Sequence, residues 1–487
     1  MKKLLQNIAC AASGIIMFCQ PMLAISGSSG APRVIPRPQM EEHGQGTIQL
    51  GQRDANCKVS FRNIRPEESA PCNQGFRLLS KRLTLLGAGN TILEKVQSEA
   101  QIVIEKALVE DFSRILRDHG VKEVVTGKRL EQAYVLECRT SSGNRGSVYI
   151  TACGDLGIYY GFISLCQLMD NDNKGGICLP VVKIADWPEI GLRLAKTSAS
   201  ANSLPALRQY ASWMPLYKIN LMGLQFHGTN SKDPGPFAEN IKAICSRAPE
   251  GGILETIVYF CPFRGKGFDF NRPADQRQYA QFLQWMLDQG AHGIEVDYND
   301  WPGKETPIED VINLACRAVA EKNPRAYILY CPPNKGNSQY RGPASPEMRR
   351  ILSNVPTNVW PLWTGMATLI EKPLKVTDVE EWTRVAGRRP FLWVNRVTLQ
   401  GERPFSRPVS EVAGAVAFRG ELLPKELNRL FEGVHFNAIL PSRSRPEVLA
   451  YLATAADYIW NPQGWEAVES CRRAKRFAEI MQSLVEE

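Results

Sequence analysis

Gly293-Ile294-Glu295-Val296-Asp297-Tyr298-Asn299-Asp300-Trp301 reads as a strand that ends in acids and amides. Ile294, Val296 and Tyr298 alternate with Glu295, Asp297 and Asn299, the two-residue period of a strand with one apolar and one polar face. Glu295, Asp297, Asn299 and Asp300 are costly to bury unless they are paired or used. Two readings follow. Asp300 caps a following helix while Asp297 sits in an ion pair, or these carboxylates do acid–base work in a site.

The surrounding rhythm gives this strand a place. After Trp187-Pro188, strand-like segments run at Leu192 to Ser198, Asn220 to His227, Thr256 to Phe263, Gly293 to Trp301, Ala326 to Cys331, Val359 to Gly365, Pro390 to Val397 and Phe436 to Pro441. Helical stretches lie between most of them, such as Asp275 to Gln289 and Ile308 to Lys322. Eight βα units in about 270 residues predict a (β/α)₈ TIM barrel over residues 189–462, within an α/β chain. In that fold the site forms at the C-terminal ends of the strands. Those ends are polar here: Lys196, His227, Arg264, Asp297 with Asn299 and Asp300, Asn334, Trp363 with Thr364, Asn395 and Asn437. Either they ring a pocket, or they are ordinary polar loop residues. His227 reads as a hydrogen-bonded structural residue or a site residue. Trp363 reads as a stacking platform or as core. His292 and His435 are expected just ahead of strands, as structural residues.

Residues 33–186 predict a small α+β domain before the barrel. Gln101 to His119 has helical spacing through Ile104, Leu108, Phe112, Ile115 and Leu116. Tyr134 to Cys138 and Val148 to Thr151 read as strands, and Ile158 to Met169 as a second helix. Residues 463–487 read as a C-terminal amphipathic helix that closes the barrel or packs beneath it.

Lys2 and Lys3 precede the short apolar run Ile8 to Phe18, and Met22-Leu23-Ala24 offers a cleavage site. Residues 1–24 therefore read as a signal peptide and 25–35 as a linker, so export to the periplasm or medium is expected. No later stretch is apolar enough to span a membrane. The 487 residues carry a net charge of +8, but it is scattered, with no basic run interleaved with aromatics. Nucleic acid is not an expected partner. Of thirteen cysteines, Cys10 and Cys19 fall in the leader and the other eleven are dispersed singly. No pair has zinc-finger spacing. One or two disulfides are compatible with export, Cys57 with Cys72 being the first pair to check.

Several motifs resemble a known family. Val34 to Gln39, Tyr134 to Cys138, Gly157 to Leu168 and Asp186-Trp-Pro188 are similar to the accessory domain before family 20 and family 84 glycoside hydrolase barrels. Cys331-Pro332, Leu362-Trp-Thr-Gly365, Arg389 to Asn395, Gly433-Val-His-Phe-Asn437 and Leu452 to Pro462 resemble family 84, the β-N-acetylglucosaminidases. The resemblance implies a glycan or glycoconjugate substrate and no metal or organic cofactor. It implies substrate-assisted hydrolysis, in which two adjacent aspartates end the fourth barrel strand. They match Asn299 and Asp300: the general acid/base is kept as Asp300, and the residue that polarises the substrate amide is an amide. Asp297, Asn395, Asn437, His227 and Trp363 would then bind substrate.

The departures from the family pattern lie in the pocket. Lys196 to Asn202 replaces a Gly-Phe-Tyr-Gly motif. His227, Gly228 and Thr229 stand where the family has a lysine and aspartates, and Gln400 stands near a sugar-binding Asp. A glycosidase with changed sugar preference and a glycan-binding protein that has lost catalysis are both compatible with that pattern.

Overall fold

A computed structural model describes residues 34–485, apart from 96–99, 141–145, 173–174, 199–202, 226–234, 236–237, 247–252, 264–266, 299–307, 334–340, 368–369, 371, 395–417 and 438–445. The first described region is a mixed sheet. Its strands are β1 (Met40–Gly51), β2 (Cys57–Arg62), β3 (Thr91–Leu93), β4 (Ile102–Lys106), β5 (Tyr134–Thr140), β6 (Gly146–Ala152), β7 (Asp170–Asn171) and β8 (Ile177–Asp186). The order is β1-β8-β5-β6-β4-β2-β3, with β7 on β8. β5 and β6, both read as strands from the sequence, pair antiparallel.

The helical reading of Gln101 to His119 is corrected. Its first part is β4, and only Val109–Asp118 is helix. Ile102, Val103 and Ile104 are β-branched and pair in parallel with β2 and β6, so tertiary pairing overrides an apolar spacing that fits both periods. Leu108 is left exposed where the two elements meet.

The second region is the barrel. Eight parallel strands close on themselves: β9 (Arg193–Ser198), β10 (Leu221–Gln225), β11 (Glu255–Phe260), β12 (Gly293–Asp297), β13 (Tyr327–Cys331), β14 (Val359–Trp363), β15 (Phe391–Val394) and β16 (Gly433–Asn437). β16 pairs with β9 and completes the circle. It begins three residues earlier than the sequence suggested. Its first residue is Gly433, where a Cβ would meet the Phe391 ring at 2.3 Å. His435 therefore lies inside a strand and not before one.

A buried polar knot joins sheet and barrel. Asp186 ends β8 and is fully buried. One of its oxygens accepts from Lys218 Nζ at 2.8 Å, and the other from Trp460 Nε1 at 2.8 Å and the Gln39 amide at 3.0 Å. The Trp460 ring lies under both Lys218 Nζ (4.4 Å) and the Arg193 guanidinium (4.9 Å). Arg193 in turn donates to Lys218 O at 2.6 Å and to Gln132 Oε1 at 2.5 Å. Lys218 has left-handed backbone, φ 57°, which a non-glycine residue adopts only when its surroundings fix it. The apolar helix Asp155–Leu168 sets Tyr160 edge-on to Trp460, and the helix Ala467–Val485 packs Phe477 on Tyr217. That last helix also ties to the sheet domain through Arg476 and Asp170, 2.8 Å apart.

The eleven cysteines from Cys57 to Cys471 are all free thiols, so the Cys57–Cys72 pairing is corrected. Both side chains are buried hydrophobes, and burial pushes each thiol up to about 12. Alkylation followed by mass spectrometry, without reductant, should label Cys57 and Cys72 only after unfolding; a Cys57–Cys72 disulfide peptide would contradict this. Asp186→Ala leaves the Lys218 ammonium buried without its counter-ion and should cost about 3–5 kcal/mol in urea unfolding. A loss under about 1 kcal/mol would show that the knot is not a structural tie.

Candidate active site

Alternation along the strands divides the barrel into two layers. Leu194, Leu221, Ile257, Tyr327, Leu329, Leu362, Phe391 and Trp393 cluster inside it. Their neighbours, including Ala195, Met222, Val258, Ile294, Ile328, Trp363 and Val434, pack outward under the helices. By this register Gly293, Glu295 and Asp297 face the lumen from β12, the polar face read in the sequence.

The lumen is charged at mid-height. Lys196 of β9 crosses it, and its Nζ lies 3.1 Å from Glu295 Oε1, both residues being at most 1 % exposed. The crossing needs space. Gly223, paired with Lys196, leaves it, since a Cβ there would sit 3.2 Å from the Lys196 Cα and Cβ. The same ammonium lies 3.9 Å from the Tyr259 ring centroid and 5.0 Å from that of Trp393. His435 stacks parallel on Trp393, centroids 5.6 Å apart.

Asp297 ends β12 one layer higher, toward the C-terminal mouth. Tyr259 Oη donates to Asp297 Oδ2, and the Cys331 thiol meets the same carboxylate. Burial, and then the nearby Asp297 charge, pushes the Tyr259 phenol well above its usual range, so it stays a neutral donor. Burial raises the Glu295 carboxyl, Lys196 opposes that shift and Asp297 adds to it. Burial and the Lys196 charge hold His435 well below the usual imidazole range, so it is neutral at pH 7.

Glu295 Oε2, Gln225 Oε1 and both ring nitrogens of His435 find no hydrogen-bond partner among the described residues. Buried polar atoms are normally paired, and an unpaired one costs about 1–3 kcal/mol. Such atoms also occur outside the lumen, as at Ser60, Trp382 and Ser470, so they accompany the charged layer without defining a site by themselves. Among the described residues there is no cluster of three or more His, Cys, Asp or Glu side chains fit to hold a metal.

The expected site residues fare unequally. Asp297 faces the lumen at its C-terminal end. Asn437 closes β16 in register with Lys196. His227, Asn299, Asp300 and Asn395 lie outside the described residues. Trp363 is corrected to the core alternative. It is fully buried in the outer layer, its ring 5.6 Å from Trp382 and its Nε1 donating to Gly342 O at 2.9 Å. A stacking platform needs an open face, and Trp363 has none. Lys196, read as a strand-end group, lies deeper, in an ion pair. Tyr259 was not singled out, Trp393 entered only inside the Arg389 to Asn395 motif, His435 only as a structural residue ahead of a strand, and Glu295 only as one of the acids costly to bury. The signal for Glu295 was its place between Gly293 and Asp297 on the polar face.

No family model and no curated sequence matches the chain. Solved structures do. The family 84 glycoside hydrolase CpGH84B superposes with a TM-score of 0.65 at 16% identity, over 91% of this chain and 74% of that one. The family 20 chitobiase of Flavobacterium johnsoniae gives 0.62 at 14%, over 93% and 73%. The β-N-acetylhexosaminidase of Bacteroides fragilis gives 0.59 at 13%, over 89% and 92%. The chain thus shares its fold, a sheet domain followed by a closed (β/α)₈ barrel, with family 84 and family 20 hexosaminidases.

The neutral buried His435 makes a testable contribution. Its folded pKa lies below the unfolded value of about 6.5, so its stabilisation is present above that pH and is lost as pH falls through and below it. His435→Phe keeps the stack on Trp393 without the titrating ring. Between pH 7 and pH 5 the variant should gain on the wild type by up to about 1.4 kcal/mol per pH unit, read from urea midpoints. Parallel pH–stability curves would contradict the assignment.

Proposed function

We propose that the chain is an exported carbohydrate-active enzyme of glycoside hydrolase type, acting on O-glycosyl bonds of a glycan or glycoconjugate. Its chemistry would resemble that of the family 84 β-N-acetylglucosaminidases, with an altered sugar preference. The observation that carries this reading is the lumen-facing Asp297, tethered by Tyr259 at the C-terminal end of β12. Asn299 and Asp300 stand two and three residues after it in the chain. Catalytic groups of (β/α)₈ enzymes sit at such strand ends.

In this proposal Asp300 protonates the leaving oxygen and then deprotonates water. Asn299 accepts a hydrogen bond from the substrate's acetamido group. Asp297 supplies the negative charge that Asn299 lacks, and Asn395, Asn437 and His227 line the sugar pocket. A second reading, a glycan-binding protein on the same scaffold, is favoured by Asn299 itself. An amide orients an acetamido group but brings no full charge to an oxazolinium-like intermediate.

Screening aryl glycosides with and without N-acetyl groups tests the proposal. Asp300→Ala should lower turnover about a hundredfold or more, with a smaller loss on substrates whose leaving groups need little protonation. An equal loss across leaving groups argues against the acid role. Asn299→Asp should raise activity on N-acetylglucosaminides relative to other sugars. Inactivity of both wild type and Asn299→Asp, with measurable glycan binding, selects the binding protein instead.

A further inference from the structure

We propose that Lys196 is a positioning residue for the barrel mouth: its ammonium fixes the Tyr259 ring, and Tyr259 in turn holds Asp297 toward the bound sugar. The catalytic part of this inference rests on the glycosidase reading above. The geometry has three links. Lys196 Nζ is anchored 3.1 Å from Glu295 Oε1, so the cation cannot swing away. It lies 3.9 Å from the Tyr259 ring centroid, within the range in which a cation binds an aromatic face and draws density from it. Electron withdrawal makes the phenol a stronger donor, and that donor points at Asp297. Trp393 on the other strand wall, 5.0 Å from the same ammonium, limits Lys196 from sliding off the tyrosine.

The rival view is that Lys196 serves only as counter-ion to Glu295. The two views separate because a buried ion pair can be replaced by neutral side chains of similar size with little loss of stability. Lys196→Met alone strands the Glu295 carboxylate. Lys196→Met with Glu295→Gln restores neutrality but leaves the Tyr259 face without its cation. As a counter-ion only, Lys196 should be dispensable in that double variant. As a positioning residue, it should not be.

The experiment compares Lys196→Met, the neutral double variant, Tyr259→Phe, and Tyr259→Phe combined with Lys196→Met. Turnover is measured on a glycoside that the wild type hydrolyses. ¹⁹F NMR follows the 3-fluorotyrosine-labelled full chain, with the Tyr259 signal assigned by its loss in Tyr259→Phe. The neutral double variant should recover the wild-type Tm yet stay roughly tenfold or more below wild type in kcat, with KM little changed. Lys196→Met should add almost nothing to the loss already caused by Tyr259→Phe, because both act along one chain of contacts. The Tyr259 resonance should move in Lys196→Met, in the neutral double variant and in Asp297→Asn. Wild-type kcat in the neutral double variant, or losses that multiply, would overturn the proposal. If the wild type hydrolyses no glycoside, the enzymatic reading fails by itself. An unmoved Tyr259 resonance in the folded neutral variant then overturns the positioning role. Should Lys196→Met fail to fold, the neutral double variant carries the test.

Discussion

Two opposite charges locked inside a closed barrel constrain everything above them. Lys196 and Glu295 come from strands on different sides of the lumen and share a site that water does not reach. Burying either alone costs several kcal/mol, so the pair ties β9 to β12 across the lumen, two strands that share no ladder. Gly223 gives way to it, while Tyr259 and Trp393 sandwich it. A purely apolar lumen would satisfy packing more simply. The charged layer is instead the floor on which Asp297 and the strand ends beyond it stand.

The barrel is also held from below. The Asp186–Lys218–Trp460 knot binds the last strand of the sheet domain to the turn before β10 and to the end of the helix Pro446–Trp460. It holds Lys218 in a left-handed backbone and aligns Arg193, the first residue of β9, through Lys218 O. The strand that carries Lys196 into the lumen is thereby anchored at its start by the sheet domain. The sheet domain thus meets the barrel's polar interior through the backbone of β9, which runs from Arg193 in the knot to Lys196 in the lumen.

Much of this was legible in the chain. The eight-strand rhythm after Trp187 gave the barrel because lumen and outer layer both demand apolar residues at period two. The alternation in Gly293 to Asp297 gave the polar face of β12. Other features were hidden. β4 hid because Ile102 to Phe112 satisfies two periods at once, and only pairing decides between them. The start of β16 hid because Gly433 carries no side chain to show strand alternation, and its closeness to the Phe391 ring appears only in the fold. Trp363 was ambiguous because an aromatic at a strand end goes inward or outward by one step of register. Lys196 looked like a mouth residue because sequence gives the strand but not how deep a long side chain reaches. Glu295 needed its partner from another strand, a contact no local pattern records.

The proposed function turns on a sugar bound at the mouth above this charged floor and touched by Asp297. Saturation-transfer NMR of the wild type and of Asp297→Asn, against one panel of free glycans and glycosides, measures this directly. At least one N-acetylated sugar should give signal with the wild type and lose it with the folded Asp297→Asn variant. Absence of binding by the wild type, or equal binding by the variant, would contradict it.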